Sequence, residues 1–301
     1  MLSSFSSALH YGQSIFEGLK AYSLKDGAVG IFRLDDHARR FKQSAKIMGM
    51  PEFSEEFFKE SVIKYIQSVK ALVPKEEGHS FYIRPLMFSN DPVIKVHSGY
   101  DFRFFIMGSI VGDYFNSGVK GAKVFCNKNF VRAFPNGTGQ AKTAANYALS
   151  LLGLQQAQAL GYEQVLYLNA KGNRNIDELG GMNFFMLKNK KIITPTLHGT
   201  ILAGITRATI LEVAKSQNFE VEERDITIDE VVECSQEISI FASGTAATIV
   251  PIEKIGLQED IGGNIQEYFF HIDPKVEELR NNLISCHKNE SSFSQKWLTL
   301  V

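Results

Sequence analysis

Lys142 lies in Asn136 to Tyr147, NGTGQAKTAANY, where a loop of small residues hands over to an alanine-rich helix. A lysine at such a junction can clamp a phosphate, form a Schiff base with a carbonyl, or sit solvated in the first turn of the helix. Tyr147 follows five positions on, at the same end of that helix. The phosphate-loop reading needs a glycine immediately before the lysine and another five positions earlier, so that backbone N–H groups close round the phosphates. Ala141 and Asn136 stand there instead, and Pro135 interrupts the strand that should lead in. No apolar strand ends in an aspartate to hold magnesium, since Ile238 to Ala242 runs into Ser243 and Gly244. The clamp fails; the Schiff base and the solvated lysine remain.

Three later segments carry further chemistry. Glu178 in NIDELGGMNFF is an acid followed by Gly180 and Gly181, either a site carboxylate or a turn residue. Leu202 to Arg207, LAGITR, places a glycine, free N–H groups and a hydroxyl at a helix start, an anion site or an ordinary helix beginning. Ser243 to Ala247, SGTAA, offers small residues and two hydroxyls after a strand, a second anion loop or a plain turn.

The elements that must position these residues follow from periodicity. Val29 to Arg33 reads as a strand, then Asp35 and Asp36 as candidate caps of a helix from His37 to about Met48. Phe53 to Val73 reads as a second helix, with Phe57, Val62, Ile66 and Val69 on its apolar period. Phe81 to Phe88 and Phe102 to Val111 read as strands, giving a mixed sheet with two helices. After the lysine loop come a helix to about Leu160, a strand Gln164 to Leu168, and a hairpin of Phe184 to Leu187 with Lys191 to Ile193. A helix from about Thr206 to Ser216, a short one near Asp229 to Cys234, and the strand Ile238 to Ala242 complete an α+β chain.

The 301 residues are 44% hydrophobic and 22% charged, the balance of a globular protein, and about 150 residues per domain makes two domains. A net charge of -1 with no long basic run argues against nucleic acid or an anionic membrane as partner. Cys126, Cys234 and Cys286 show neither metal spacing nor a disulfide framework, which fits a reducing, cytoplasmic compartment. No apolar run approaches the roughly 18 residues of a membrane span, and the start lacks the basic region of a secretory signal.

Taken in order, Arg40 in HARRF, Tyr82 and Arg84 in YIRP, GTGQAKTAANY, IDELGGMN, LAGITR and SGTAATIVPI resemble the branched-chain amino acid aminotransferases, fold-type IV pyridoxal-phosphate enzymes. LHYGQSIFEGLKAY is similar too, and the likeness runs from about Leu9 to Ile252. It implies a two-domain α+β fold of the D-amino acid aminotransferase type: a smaller N-terminal α/β domain over residues 1–114, a linker at 115–123, and a larger cofactor-binding domain over 124–301. Family members carry further residues before the LHYG segment, so with eight residues ahead of Leu9 the first domain is expected to be truncated at its start.

By the same resemblance Lys142 carries pyridoxal 5'-phosphate as a Schiff base and shuttles the substrate's α-proton. Glu178 pairs with the pyridine nitrogen, Tyr147 with the phenolic oxygen, and Arg40 with the phosphate. Leu202, Gly204, Ile205, Thr206 and Thr245 match the rest of the cofactor site, and Ala246 part of the substrate carboxylate site. Tyr11, Phe16, Tyr82, Arg84 and Tyr114 resemble the substrate pocket, with Tyr11 reaching from the partner of a homodimer. The implied reaction is transamination between leucine, isoleucine or valine and 2-oxoglutarate, in branched-chain amino acid biosynthesis, without a metal. Ala247 and Val250 stand where some relatives have a CxxC pair, so no thiol switch is expected. Related D-amino acid aminotransferases and aminodeoxychorismate lyases share the lysine, the glutamate and the phosphate cup. YIRP, MN after the glycine pair and QAQALGYEQVLYL favour the branched-chain group, and the alternative of another class is an inactive binding module.

Overall fold

The computed structural model describes residues 2–112 and 121–301, so Tyr114 and most of the expected linker lie outside the described residues. The chain falls into two units. Unit 1 is Met1–Asn116, Ala141–Ala145 and Ile284–Val301; unit 2 is Ser117–Gln140 and Asn146–Leu283. Two segments that a cut at residue 124 would give to the second domain, the lysine loop's end and the C-terminal stretch, therefore count with the first.

Unit 1 begins with a short helix α1 (Ser7–Tyr11), capped by Ser6, whose Oγ accepts from the Ala8 N–H. Strands β1 (Ser14–Phe16), β2 (Leu19–Ser23) and β3 (Val29–Phe32), helices α2 (Leu34–Ile47) and α3 (Glu55–Ser68), and long strands β4 (Ser80–Ser89) and β5 (Phe102–Val111) follow. β4 pairs with β1, β2 and β5, β3 lies beside β2, and the C-terminal strand Leu298–Leu300 lies beside β3. Every pairing is antiparallel, not mixed as the sequence suggested. Leu19, Ile31, Phe41, Phe58, Ile66 and Ile83 are fully buried in one core built from this sheet and both helices.

The start of α2 differs from expectation. Arg33, not an aspartate, is the N-cap, with a left-handed φ of 52° and no side-chain capping bond. Asp35 and Asp36 sit inside the first turn, where carboxylates favour the positive end of the helix dipole. The second helix ends at Ser68 and continues only as a 3-10 turn, Lys70–Leu72.

Unit 2 contains β6 (Ala122–Asn127), α4 (Ala144–Ala159), β7 (Gln164–Leu168), β8 (Ile176–Leu179), β9 (Asn183–Lys188), β10 (Lys191–Thr194), α5 (Ile205–Ser216), β11 (Glu220–Glu223), α6 (Ile228–Glu233), β12 (Ser239–Gly244), β13 (Thr248–Gln258) and β14 (Ile265–Phe269). Its strands run in the order β11-β10-β9-β12-β13-β6-β7-β8, with β14 on β13. A further β8–β9 pairing joins the ends of the stretch from β9 to β8, closing it into a ring of strands. Val124, Leu166, Phe184, Ile240, Ile252 and Ile255 fill its core. Glu178 belongs to β8 and is buried, so it is not a turn carboxylate. The chain then forms α7 (Pro274–His287) and α8 (Ser294–Trp297) and re-enters unit 1 at Ile284. Among the described residues no helix is long and apolar enough to cross a membrane.

Candidate active site

In unit 1 the segment carrying Lys142 is strapped to β1 and α2. Thr143 bridges to Ile15, and its Oγ1 donates to the Ser14 carbonyl at 2.7 Å. The Phe16 N–H donates to the Lys142 carbonyl at 3.0 Å, and the Lys142 N–H donates to Ser44 Oγ at 3.0 Å. α4 starts only at Ala144, so Lys142 precedes the helix and is not a solvated first-turn residue. Its half-buried side chain brings Nζ to 5.0 Å from the centre of the Phe16 ring.

The same ring faces a second cation, with Arg84 Cζ 4.5 Å from its centre. Arg84 Nη2 donates to the Tyr82 hydroxyl at 2.7 Å. Tyr82 and Arg84 are two apart on β4 and so share a face. A Cβ on Gly18 would lie 2.2 Å from the Tyr82 hydroxyl oxygen, which explains the glycine in FEGLK. Phe16, Tyr82, Arg84 and Lys142 thus form one group. Tyr11 stands exposed at the end of α1, outside it.

Arg40 sits in a different arrangement, with Glu17 at its centre. The buried Glu17 carboxylate accepts from Arg40 Nε at 2.7 Å, Arg40 Nη2 at 2.8 Å, His37 Nδ1 at 2.6 Å and the Gly18 N–H at 3.1 Å. Burial alone would raise its pKa, but the charges of Arg40 and His37 and their hydrogen bonds hold it well below the usual carboxylate range. Burial pushes the His37 imidazole down despite the carboxylate beside it. The pairing fixes the plane of the guanidinium through its Nε edge. Nothing in the sequence pattern singled out Glu17, an acid inside an ordinary-looking FEG.

In unit 2 the buried Glu178 is surrounded by donors. Arg132 Nη2 approaches Oε1 at 2.6 Å, the Leu202 N–H donates to Oε1 at 3.2 Å, and Asn183 Nδ2 donates to Oε2 at 2.9 Å. Arg132 Nη2 also donates to the carbonyls of Gly139 and Thr200 at 3.1 and 2.5 Å. A Cβ on Gly139 would lie 2.6 Å from that Thr200 carbonyl, so this glycine of the lysine loop serves a close backbone crossing. Arg132 and Asn183 are functional candidates that the sequence reading missed; MN after the glycines was the one hint for Asn183. Tyr147 lies in the first turn of α4, and a Cβ on Gly181 would stand 3.9 Å from its ring.

The first turn of α5 begins at Gly204, an N-cap with no side-chain capping bond, so Ile205 and Thr206 present backbone N–H groups that no capping side chain takes. Thr245 and Ala246 form the turn between β12 and β13, not a free loop after a shorter strand, because Ser243 and Gly244 still pair in β12. The turn ends in Thr248 at a φ of 63°, a left-handed conformation that costs a β-branched residue energy and marks a constrained loop. Ser243 Oγ is buried with no hydrogen-bond partner among the described residues. Those residues contain no cluster of His, Cys, Asp or Glu able to hold a metal ion.

Residues 14–255 match the family described as amino-transferase class IV. A curated relative, branched-chain-amino-acid transaminase 1 of Bacillus subtilis (strain 168), is 40% identical over 256 residues, 84% of this chain and 72% of the relative. The crystal structure of the branched-chain aminotransferase from Thermoproteus uzoniensis with norvaline gives a TM-score of 0.82 at 26% identity, covering 100% of this chain and 94% of that one. The branched-chain amino acid aminotransferase from Thermobaculum terrenum in its PLP-form gives 0.79 at 25% identity, with coverage of 100% and 93%.

Proposed function

Because the chain belongs to the class IV aminotransferases and, within them, to the branched-chain amino acid aminotransferases, we propose that it transfers the α-amino group between L-leucine, L-isoleucine or L-valine and 2-oxoglutarate. The products are the branched 2-oxo acids and L-glutamate. The observation that carries this reading is the Phe16 ring flanked by the Lys142 amine at 5.0 Å and the Arg84 guanidinium at 4.5 Å. An apolar ring suits a branched side chain, worth about 1.5–3 kcal/mol on burial. A guanidinium beside it suits the distal carboxylate of glutamate, the alternate amino donor.

The donor sets fit pyridoxal 5'-phosphate. Lys142 offers an amine to an aldehyde, Glu178 a buried carboxylate to a basic ring nitrogen, and Gly204, Ile205 and Thr206 a helix start to a phosphate. When bound, the cofactor supplies the aldehyde and the electron-withdrawing ring that takes up the electron pair left at the substrate α-carbon. Lys142 would hold the cofactor through its amine, and the same amine would serve as the base that moves the substrate α-proton. Glu178 would keep the cofactor's ring nitrogen protonated by its negative charge. Tyr147 would donate to the cofactor's phenolic oxygen. Arg40, oriented by Glu17, Leu202 through its backbone, and Thr245 would hold the rest of the cofactor, and Ala246 would receive the substrate carboxylate through its backbone. Tyr82 orients Arg84, while the exposed Tyr11 would reach the substrate pocket of the partner subunit.

The reading includes a cytoplasmic homodimer. Three free cysteines support a reducing compartment. The exposed Phe105, Met107 and Ile110 on β5, and Leu149, Leu151 and Leu152 on α4, support burial against a second copy. The test is a side-by-side assay of L-leucine, D-alanine and aminodeoxychorismate. Turnover of L-leucine with 2-oxoglutarate is expected; lyase activity without transamination overturns the reading.

A further inference from the structure

Glu178, Asn183 and Ser243 form a row across β8, β9 and β12, since Glu178 faces Asn183 and Asn183 faces Ser243 in the strand registers. Residues paired across antiparallel strands point to the same side of a sheet, so the three share one face. Asn183 is buried, and its amide nitrogen donates twice: to Glu178 Oε2 at 2.9 Å and to the Leu202 carbonyl at 3.0 Å. Leu202 returns to the same carboxylate through its N–H, 3.2 Å from Oε1. Carboxylate, amide and backbone thus close a ring of hydrogen bonds. The far end of the amide sits against Gly204, where a Cβ would lie 1.9 Å from Asn183 Oδ1. Beyond Asn183 itself, the next neighbour is Arg207 Cβ at 3.2 Å. One side chain therefore sets both the angle of the carboxylate and the spacing to the first turn of α5.

We propose that Asn183 is a positioning residue that locks the Glu178 carboxylate to the Leu202–Gly204 segment, so that the partner of the ring nitrogen and the turn receiving the phosphate keep one separation. The proposal rests on the roles given above to Glu178 and to the start of α5. Asparagine is the residue the geometry requires. It donates two hydrogen bonds from one planar nitrogen without adding charge, whereas aspartate would turn an oxygen toward both acceptors and alanine would leave both without a donor.

Two comparisons test it, each with folding checked by circular dichroism. In the first, the isotope-labelled ring nitrogen of bound cofactor is followed by nuclear magnetic resonance, and the affinity of the apoenzyme for pyridoxal 5'-phosphate is titrated. Asn183→Ala is expected to move the resonance in the same direction as Glu178→Gln and to weaken cofactor binding by about three- to tenfold. Added to Glu178→Gln it is expected to have less than about a threefold further effect, because the two residues act as one unit. Asn183→Ser takes its place if the alanine variant does not fold. In the second comparison, Gly204→Ala is expected to weaken cofactor binding about tenfold or more, and Asn183→Ser in the same chain to add less than about a threefold further loss, because the clash and the missing amide disturb the same contact. An unmoved resonance in the Asn183 variant beside a moved one in Glu178→Gln, or additive effects in either double variant, overturns the proposal. A wild-type resonance and affinity in Glu178→Gln itself overturns the assigned role of Glu178, and the coupling with it.

Discussion

Replacing Glu17 by glutamine tests whether the buried cluster around Arg40 is held by charge. The carboxylate accepts from Arg40 twice, from His37 once and from the Gly18 N–H. A glutamine keeps one acceptor oxygen; placed where Oε2 stands, it loses the Arg40 Nε bond, and the buried guanidinium faces an NH2 instead of a counter-charge. The lost charged bond is worth about 1.5–3 kcal/mol, and leaving the guanidinium buried without its counter-charge brings the cost to the roughly 3–5 kcal/mol of a broken buried ion pair. The chain's single tryptophan, Trp297, lies in unit 1 against Phe32 and Phe293. Its fluorescence during urea unfolding of the apoenzyme therefore reads this unit. The pH dependence has a definite sign. Glu17 titrates below its ordinary value of 4.5 in the fold, so its contribution is complete above that value and is lost as pH falls through and below it. His37 is lowered from 6.5 by burial, so acid also favours the unfolded chain through this residue, in wild type and variant alike. The gap between wild type and Glu17→Gln should be about 3–5 kcal/mol at pH 8 and should shrink as pH drops below about 4.5. A gap under about 1 kcal/mol at pH 8, or one that does not change in acid, refutes the reasoning.

Other outcomes follow from the site. Lys142→Ala should leave purified protein without the visible cofactor band and without a borohydride-trapped adduct, checked by absorbance and peptide mass. Glu178→Gln should lower kcat about a hundredfold or more while cofactor affinity falls less than about tenfold, since its charge acts mainly in the chemical step. Tyr82→Phe removes the acceptor that holds Arg84, so the KM for 2-oxoglutarate should rise several-fold, up to about tenfold, with a smaller change for leucine; equal changes for both substrates would count against Arg84 as the distal carboxylate group.

Local signals were legible where a residue's structure depends on its sequence neighbours. α5 and the β9–β10 hairpin lie close to where apolar period and turn residues put them. β13 was unread because Pro251 interrupts a strand pattern, yet the proline is accommodated opposite Phe241, close to the register shift between Ile252 and Lys254. Lys142, Glu178 and Gly204 were visible as chemical types. The residues that hold them were not, because their partners are remote in sequence. Arg132 reaches Thr200, 68 positions away, and Arg40 meets Glu17 across 23. An arginine in FVRAFP or a glutamate in FEG has no periodicity that points to such a contact. The small residues before Lys142 suggest room for a ring, but Gly139 is needed for a backbone crossing at Thr200.

The strand Leu298–Leu300 completes the sheet of unit 1 by pairing with β3, and Val29 exchanges backbone hydrogen bonds with Val301 at 2.8 and 3.4 Å. Arg33 N–H, at the cap of α2, donates to the Trp297 carbonyl at 2.7 Å. During synthesis the last strand arrives roughly 190 residues after β5, a delay of about 10–40 s at roughly 5–20 residues per second. Through that interval the outer edge of β3 and the backbone N–H of Arg33 lack their final partners. The nascent unit is exposed to mispairing at that edge for the whole time unit 2 is being made, which makes early release or truncation before Leu298 a folding defect in the part of the chain synthesised first.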